Sequence, residues 1–144
     1  MRPHYTSVGE IKKTNTLSAT EETSAYEIAL ELLETSFQGM PIVNSQNQVV
    51  GKVSEIQLLK ALSEGKDLEK TEAGEIMELC PPCIRETTPL EEAVSLMVQE
   101  HLLRIPVVDD HHRLIWTVTR HDVLRAWMGV WLPEERGGHV EVFA

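Results

Sequence analysis

Residues 74–127 decide the fold of this chain, because they repeat residues 9–62 without a gap. The later stretch reads GEIMELCPPCIRETTPLEEAVSLMVQEHLLRIPVVDDHHRLIWTVTRHDVLRAW, and the earlier one reads GEIKKTNTLSATEETSAYEIALELLETSFQGMPIVNSQNQVVGKVSEIQLLKAL. At a constant offset of 65 positions, Pro41-Ile42-Val43 aligns with Pro106-Val107-Val108. An offset that stays constant over the whole stretch predicts two similar units, each too small to close a core alone, that pack face to face.

Each unit is predicted to fold as β-α-β-β-α, which gives a mixed α/β class. In the second unit Thr88 is the expected N-cap of the first helix, with Pro89 at the first helical position and Glu91 completing a capping box. Thr23 and Ser24 are the corresponding start signals in the first unit. The predicted strands are 15–20, 40–43, 49–53, 82–86, 105–108 and 114–118, and the closing helices are 55–64 and 120–129.

The repeat also sets the expected domain organisation. Residues 63–73 are polar and contain a glycine, which is typical of a connection between units. The predicted segments are an N-terminal segment 1–8, a first unit 9–64, a linker 65–73, a second unit 74–129 and a C-terminal tail 130–144.

Composition narrows the class of protein. The 144 residues carry 13 Lys and Arg against 23 Asp and Glu, a net charge of −10, which argues against nonspecific binding to nucleic acid. No apolar run approaches the 18 residues of a membrane span, and residues 1–9 lack the apolar stretch of a signal peptide. Two cysteines do not make a disulfide scaffold. We therefore expect a globular cytoplasmic domain with no membrane or nucleic-acid partner.

The ordered series of motifs resembles the cystathionine-β-synthase (CBS) domain pair, also called a Bateman module. Residues 74–127 match best: a short helix ending near Met77, a capped helix, then Pro-Val-Val-Asp at 106–109, and an apolar strand that runs into Thr119-x-x-Asp122. The resemblance implies a disc-like, regulatory, non-catalytic module with two clefts for adenosine-containing ligands such as AMP, ADP, ATP or S-adenosylmethionine. It also implies a homodimer formed through helix faces and an unidentified regulated protein.

The resemblance places one cleft around Asp122. A carboxylate where a strand enters a helix can accept hydrogen bonds from both ribose hydroxyls, and helix N–H groups favour phosphate. The same Thr119 and Asp122 also suit an ordinary N-cap. Phe37 can stack on a purine or pack in the core, and the basic residues can face phosphates or solvent. By position, the residues of this main cleft are Thr119, Asp122, Arg120, His121, Lys12, Asn15, Leu17, Phe37, Gln38 and Gly39.

A second and weaker cleft is implied around Gln57. Ser54 keeps the hydroxyl of the motif, but Gln57 replaces its aspartate and presents one acceptor oxygen without charge. Arg104 stands at a family position that can carry a phosphate-binding residue, and a guanidinium fork suits phosphate. By position, the residues of this cleft are Ser54, Gln57, Met77, Cys80, Pro82, Leu103 and Arg104. Trp116 departs from the family glycine, which the first unit keeps at Gly51, and is expected to narrow a cleft or fill the space between units.

Two further hypotheses remain beside the nucleotide sensor. With both clefts degenerate, the chain would be a ligand-free dimerisation scaffold, with Leu59, Leu62, Leu124, Trp127 and Met128 as contributors to the dimer face. Cys80 and Cys83 form a CxxC that would make a metal- or redox-responsive regulator. That reading is the weaker one, because the motif precedes an extended segment rather than a helix and no second CxxC supplies zinc ligands. No nucleophile elbow or Walker loop supports an enzyme.

Overall fold

A computed structural model describes residues 1–13, 16–35 and 37–130. Both units have the predicted β-α-β-β-α order, and the mixed α/β class is confirmed. The elements of the first unit are β1 (Ala19–Thr20), α1 (Ala25–Thr35), β2 (Gly39–Val43), β3 (Val49–Ser54) and α2 (Glu55–Ser63). Those of the second are α3 (Ala73–Ile76), β4 (Glu78–Leu79), β5 (Ile84–Arg85), α4 (Leu90–Glu100), β6 (Arg104–Val108), β7 (Leu114–Thr119) and α5 (Arg120–Met128).

The strands form two sheets with the same plan. In the first sheet β1 runs parallel to β2, β2 pairs antiparallel with β3, and β4 adds to the far edge of β3. In the second sheet β5 runs parallel to β6, which pairs antiparallel with β7. The register shifts at equivalent points, between Ile42 and Val43 and between Val107 and Val108. Because β4 follows the linker but pairs with β3, the two halves share a sheet.

Each unit lends its opening segment to the other. Val8 and Ile11 are buried in the core of the second unit, and Ala73 is buried in the core of the first. The backbone bonds repeat at the same offset: the Val8 N–H donates to the carbonyl of Thr88 at 3.0 Å, and the Ala73 N–H donates to that of Thr23 at 2.8 Å. Neither core is therefore complete without residues from the other unit.

A close backbone approach explains the first glycine of the repeat. The Gly9 N–H donates to the Glu86 carbonyl at 2.8 Å, and a Cβ on Gly9 would lie only 2.9 Å from that oxygen. Gly74 makes the equivalent bond to the Glu21 carbonyl at 2.9 Å, with slightly more room at 3.3 Å. The repeated Gly-Glu-Ile thus marks where each opening segment docks onto the opposite unit.

The helix start predicted at Thr88 is wrong. The Thr88 hydroxyl instead accepts the N–H of Arg85 at 2.9 Å and closes the turn before the helix. Pro89 occupies the N-cap position of α4 without a side-chain cap, so Glu91 completes no capping box. In the first unit Ser24 holds that position, and its Oγ accepts the Glu27 N–H at 3.1 Å. Ser24 is one of the two predicted start signals of the first unit, whereas in the second unit the cap lies one residue later than predicted and is a proline without a capping side chain.

Residues 65–73, predicted as a linker, pack along the first unit. They contain a 3-10 helix, Leu68–Lys70. Thr71 is buried, and its carbonyl accepts the Ala25 N–H at 2.7 Å. In the part of the chain that the structure describes, no helix is both long and apolar enough to span a membrane.

The two hairpin turns meet at the junction of the units. Gln48 and Arg113, which are equivalent in the repeat, form an antiparallel bridge. On either side of it the Val49 N–H donates to the His112 carbonyl at 3.1 Å, and the Leu114 N–H donates to the Asn47 carbonyl at 2.9 Å. The symmetry of these bonds places a pseudo-twofold axis between the turns.

The Asp109 side chain stabilises the hairpin turn between β6 and β7. Asp109 Oδ1 accepts the backbone N–H groups of His111 and Arg113, both at 2.9 Å, and Arg113 Nε donates to Oδ2 at 2.7 Å. The backbone bond from Arg113 is the main cause that lowers the pKa of Asp109 to about 2, and the Arg113 side chain and the His111 backbone add to it.

The Asp109→Asn substitution should remove a pH-dependent part of the stability. The folded pKa lies below the ordinary aspartate value of about 3.9, so the charged form stabilises the fold above about pH 4 and this contribution is lost as the pH falls through about 2. We expect the difference in Tm between the parent and Asp109→Asn to be larger at pH 6 than at pH 2 by circular dichroism. Asp110→Asn, which leaves the Asp109 bonds intact, is the control. An equal difference at both pH values would contradict this account.

Candidate functional site

A cavity of about 720 Å³ lies between the two units. Eight of the ten residues predicted for the main cleft line it: Leu17, Phe37, Gln38, Gly39, Thr119, Arg120, His121 and Asp122. Lys12 is exposed and is not part of this lining, and Asn15 lies outside the described residues. Of the other lining residues, Leu103 and Arg104 were predicted for the second cleft, and the sequence did not single out Thr16, Pro41, Thr117 and Arg125.

The junction of β7 and α5 positions the acidic side chain of this cavity. Thr119 is the N-cap of α5, and its Oγ1 accepts the Asp122 N–H at 3.1 Å. In return Asp122 Oδ2 accepts the Thr119 N–H at 2.9 Å, while Oδ1 accepts a bond from Arg125 Nη2 at 2.9 Å. The capping box therefore holds the carboxylate in one orientation while it faces the cavity.

The Asp122 carboxylate retains capacity for a ligand. An ionised carboxylate has about four acceptor sites, and two of them are occupied by Thr119 and Arg125. Asp122 is 5% exposed, so its free acceptor sites are shielded from bulk water. A pair of hydroxyl donors on neighbouring carbons is a chemical match for the remaining sites.

Positive charge dominates the cavity in an otherwise acidic chain. Arg104, Arg120 and Arg125 line it, and among the described residues Asp122 is the only carboxylate in the lining. Arg120 Nε donates to the Leu102 carbonyl at 2.6 Å, which ties this guanidinium to the turn before β6. The arrangement suits an anionic ligand, since guanidinium groups bind phosphate and carboxylate in a planar fork.

Arg104 lies against the aromatic ring of the cavity. Its Cζ is 3.9 Å from the centroid of the Phe37 ring, a cation–π contact. Burial lowers the pKa of the Arg104 guanidinium, and the charge of Asp122 opposes that shift. The charge of Asp122 thus favours the protonated form of Arg104.

The predicted second cleft is divided in the structure. A cavity of about 420 Å³ adjoins the first, and Ser54, Leu103 and Arg104 line it. Leu103 and Arg104, which the resemblance assigned to this cleft alone, line both cavities. Pro82 and Cys80 line neither cavity, and Gln57 and Met77 line a separate space of about 290 Å³ beside α2 and α3.

Gln57 is absent from the lining of the second cavity and caps helix α2. Its Oε1 accepts the Ser54 N–H at 2.7 Å and also contacts the Ser54 hydroxyl. The amide oxygen is thus directed back to the start of α2. In the first unit Gln57 of the motif lines neither cavity between the units, whereas in the second unit the equivalent Asp122 lines the larger one.

Trp116 lies in the core of the second unit and lines neither cavity between the units, so the first of its two expected roles, narrowing a cleft, is wrong. It is 1% exposed, and its Nε1 has no hydrogen-bond partner among the described residues. At the equivalent Gly51 a Cβ would lie 2.4 Å from Met77 Sδ. In the first unit the large side chain beside Gly51 is Met77, which comes from the opening segment of the second unit. In the second unit the large side chain is Trp116 on β7, and Lys12 stands at the position equivalent to Met77.

The two cysteines are free, with Cys80 exposed and Cys83 half-buried. Burial, aided by the charge of Cys80, raises the pKa of Cys83 to about 11. The Cys83 Sγ is 3.9 Å from His112 Nε2 and donates to the Pro81 carbonyl at 3.4 Å. Within the described residues, no three His, Cys, Asp or Glu side chains are grouped so that they could hold a metal ion.

Comparison with known proteins agrees with the repeat. The model of a family described as the CBS domain matches residues 8–64 and 73–129. An uncharacterised protein of Methanopyrus kandleri is 33% identical over 120 residues, which are 83% of this chain and 61% of that protein. The chloroplastic CBS domain-containing protein CBSX1 of Arabidopsis thaliana is 30% identical over 148 residues, 83% of this chain and 63% of that one. The chain thus spans about three-fifths of the length of these relatives.

Two solved structures resemble the chain over most of their length. CBSX2 in complex with AMP has a TM-score of 0.73 and 28% identity, and the match covers 85% of this chain and 96% of that one. The CBS domain pair of protein MJ0100, in complex with 5′-methylthioadenosine and S-adenosyl-L-methionine, has a TM-score of 0.71 and 27% identity, with coverage of 85% and 96%.

The raised pKa predicts a slow thiol at Cys83. In a Cys80→Ser variant at pH 8, we expect iodoacetamide to label Cys83 at least about 10-fold more slowly in the native chain than in urea, because little thiolate forms. A Cys83→Ser variant, which reports the exposed Cys80, is the control and should show a smaller difference. Equal native and unfolded rates at Cys83, or stoichiometric zinc lost on mutating both cysteines, would contradict a bystander role for this motif.

Proposed function

The chain belongs to the CBS-domain family and carries two such domains in tandem, and on that premise we propose that it is a regulatory, non-catalytic module that binds an adenine nucleotide. The ligand would occupy the larger cavity. There it would contact both units, so that its binding energy can bias how they pack. The regulated protein is expected to be a separate partner. A cytoplasmic location, where thiols stay reduced, is part of the same proposal.

The observation that carries this proposal is the pairing of Asp122 with three arginines in one cavity. Asp122 offers its free acceptor sites to a ribose diol, and the Phe37 ring offers a face for a purine. Arg104, Arg120 and Arg125 offer charge-assisted bonds to phosphate. Together these contacts match a phosphorylated nucleoside better than they match a nucleoside or a phosphate alone.

The charge of the cavity favours AMP, ADP or ATP over S-adenosylmethionine. A sulfonium group is cationic and would stand among guanidinium groups, whereas a phosphate would neutralise them. The structures of similar sequence support an adenosine ligand in general, since CBSX2 is described with AMP and the MJ0100 domain pair with 5′-methylthioadenosine and S-adenosyl-L-methionine. For this chain we therefore propose the phosphorylated form.

We also propose a homodimer formed through α2 and α5. Leu59 and Leu124 are equivalent in the repeat and are 59% and 58% exposed, and Leu62 and Met128 are also more than half exposed. Trp127 contributes less than the sequence indicated, because it packs against the second core and its Nε1 donates to the Met1 carbonyl at 3.2 Å. Apolar side chains exposed on two symmetry-related helices suit a twofold partner. If neither cavity binds a ligand, this surface favours the dimerisation scaffold as the function.

Calorimetry with AMP tests the nucleotide proposal. We expect one tight site per chain, and Asp122→Ala should weaken it by about 10- to 100-fold, because a hydrogen bond to a charged group contributes about 1.5–3 kcal/mol. Gln57→Ala, the matched control from the other unit, should change the affinity less than about 3-fold. S-adenosylmethionine should bind more weakly than AMP.

Thermal unfolding of each variant shows whether the loss is one of folding, and Asp122→Asn, which keeps the shape of the capping residue, provides a second test. Two equally tight sites, or an equal loss from Gln57→Ala, would be inconsistent with the proposed site. Absence of any nucleotide binding by a folded parent chain would leave the scaffold as the function.

Light scattering tests the dimer. At micromolar concentration the parent chain should have twice its mass of 16.3 kDa, and the double variant Leu59→Glu/Leu124→Glu should be monomeric because two charges would be buried at the interface. Leu79→Glu, an exposed leucine on β4, is the control and should remain dimeric. A parent mass near 16 kDa at every concentration would refute the proposed dimer.

A further inference from the structure

In the part of the chain that the structure describes, one charged side chain lines both cavities between the units. Arg104 is the first residue of β6 and lines the larger and the smaller cavity. Its equivalent in the first unit is Gly39, the first residue of β2, which also lines both. The repeat would place one side chain from each unit at this junction, but glycine supplies none. A single guanidinium therefore stands where two symmetric cavities meet.

The two cavities depend on Arg104 to different degrees. Without it, the larger cavity still has Arg120 and Arg125 beside one carboxylate. The smaller cavity would have Lys52 and His101 against Glu55 and Glu100, and Lys52 Nζ is 3.3 Å from Glu78 Oε2 outside it. An anion in the smaller cavity thus has Arg104 as its main source of unpaired positive charge.

The contacts of the Arg104 guanidinium favour binding of a ligand in the larger cavity over binding in the smaller one. The guanidinium lies over Phe37, which lines the larger cavity only, and it interacts with the charge of Asp122 in the same cavity. A phosphate bound there would engage Arg104 through charge-assisted bonds. A second phosphate at the same guanidinium would be repelled by the first at short range.

We propose that the two cavities compete for Arg104, so that a phosphorylated ligand in one lowers the affinity of the other for a second phosphorylated ligand. The inference rests on the proposed nucleotide site and adds a coupling between that site and its neighbour. Coupling of this kind is reciprocal, because the free energy of the doubly bound state does not depend on the order of binding. A neutral nucleoside would not engage the guanidinium in this way and should show much less antagonism.

The experiment follows AMP binding at each cavity by backbone amide shifts in nuclear magnetic resonance. His121 reports the larger cavity and Ile56 the smaller one, since each lines only one of them. Arg104→Gln removes the charge, and Arg104→Met is a second variant that keeps the apolar stem over Phe37. Arg85→Gln, which removes an exposed guanidinium paired with Asp110, is the matched control.

Competition predicts an unequal effect of the substitution. In the parent background Arg104→Gln should weaken the tighter event, seen at His121, by about 10- to 100-fold. It should leave the weaker event, seen at Ile56, within about 2-fold, because Arg104 is already engaged when that event occurs. In a His121→Glu background, where the larger cavity repels phosphate, Arg104→Gln should weaken binding at Ile56 by a similar 10- to 100-fold.

Each alternative result is distinguishable. Equal weakening of both events in the parent background would overturn the competition, as would an increase in affinity at Ile56 once the larger cavity is filled. The parent chain could bind AMP at His121 while neither the parent nor the His121→Glu variant shows any binding at Ile56. That result would overturn the competition and leave the proposed nucleotide site intact. No shift at either reporter in a folded chain would overturn both.

Discussion

The exchange of opening segments between the two units is the constraint on which the rest of the structure depends. Val8 and Ile11 complete the core of the second unit, and Ala73 completes that of the first. The apolar surface that each segment buries lies on the opposite unit, so the two halves are stabilised as one structure. The cavities are a consequence, because they form in the space between two sheets whose relative position the exchanged segments fix.

The pseudosymmetry of the backbone contrasts with the differences between equivalent side chains. Equivalent backbone bonds differ by only about a tenth or two of an ångström, as at Thr23 and Thr88 or at Glu21 and Glu86. Equivalent residues at and beside the cavities differ in charge and size: Asp122 lines the larger cavity where its equivalent Gln57 lines neither, and Arg104 has Gly39 as its equivalent. The repeated framework thus presents two chemically different cavities.

The sequence predicted the fold and most of the larger cavity lining because both depend on the periodic backbone. The constant offset, the apolar hairpins and the Thr119-x-x-Asp122 motif are visible without coordinates. The start of α4 was misplaced because Thr88 and Pro89 suit an N-cap and a first helical position equally well in sequence, and the hydroxyl is used one turn earlier.

Three-dimensional placement accounts for what the sequence missed. Only the packing shows that Trp116 is buried in the core of the second unit, whereas Met77 fills the space beside the equivalent Gly51 in the first. Arg104 lines both cavities because it lies where they meet. Alignment of the two repeats could not show this, since it assigns each residue to one cleft. Arg125 lies three residues after Asp122, at ion-pair spacing on a helix, and that spacing was the signal that could have indicated it.

The exchanged segments also explain what is gained by joining the two units in one chain. Two separate chains with such segments could associate into the same module, and the connection at 65–73 converts that association into an intramolecular one with a high effective concentration. Identical chains would carry the same residue twice at the axis, so an arginine there would face its own copy and be repelled. Fusion removes that restriction, since a single polypeptide can keep glycine at 39 and arginine at 104. The asymmetry of charge where the two cavities meet is therefore open to a tandem chain but not to a pair of identical chains.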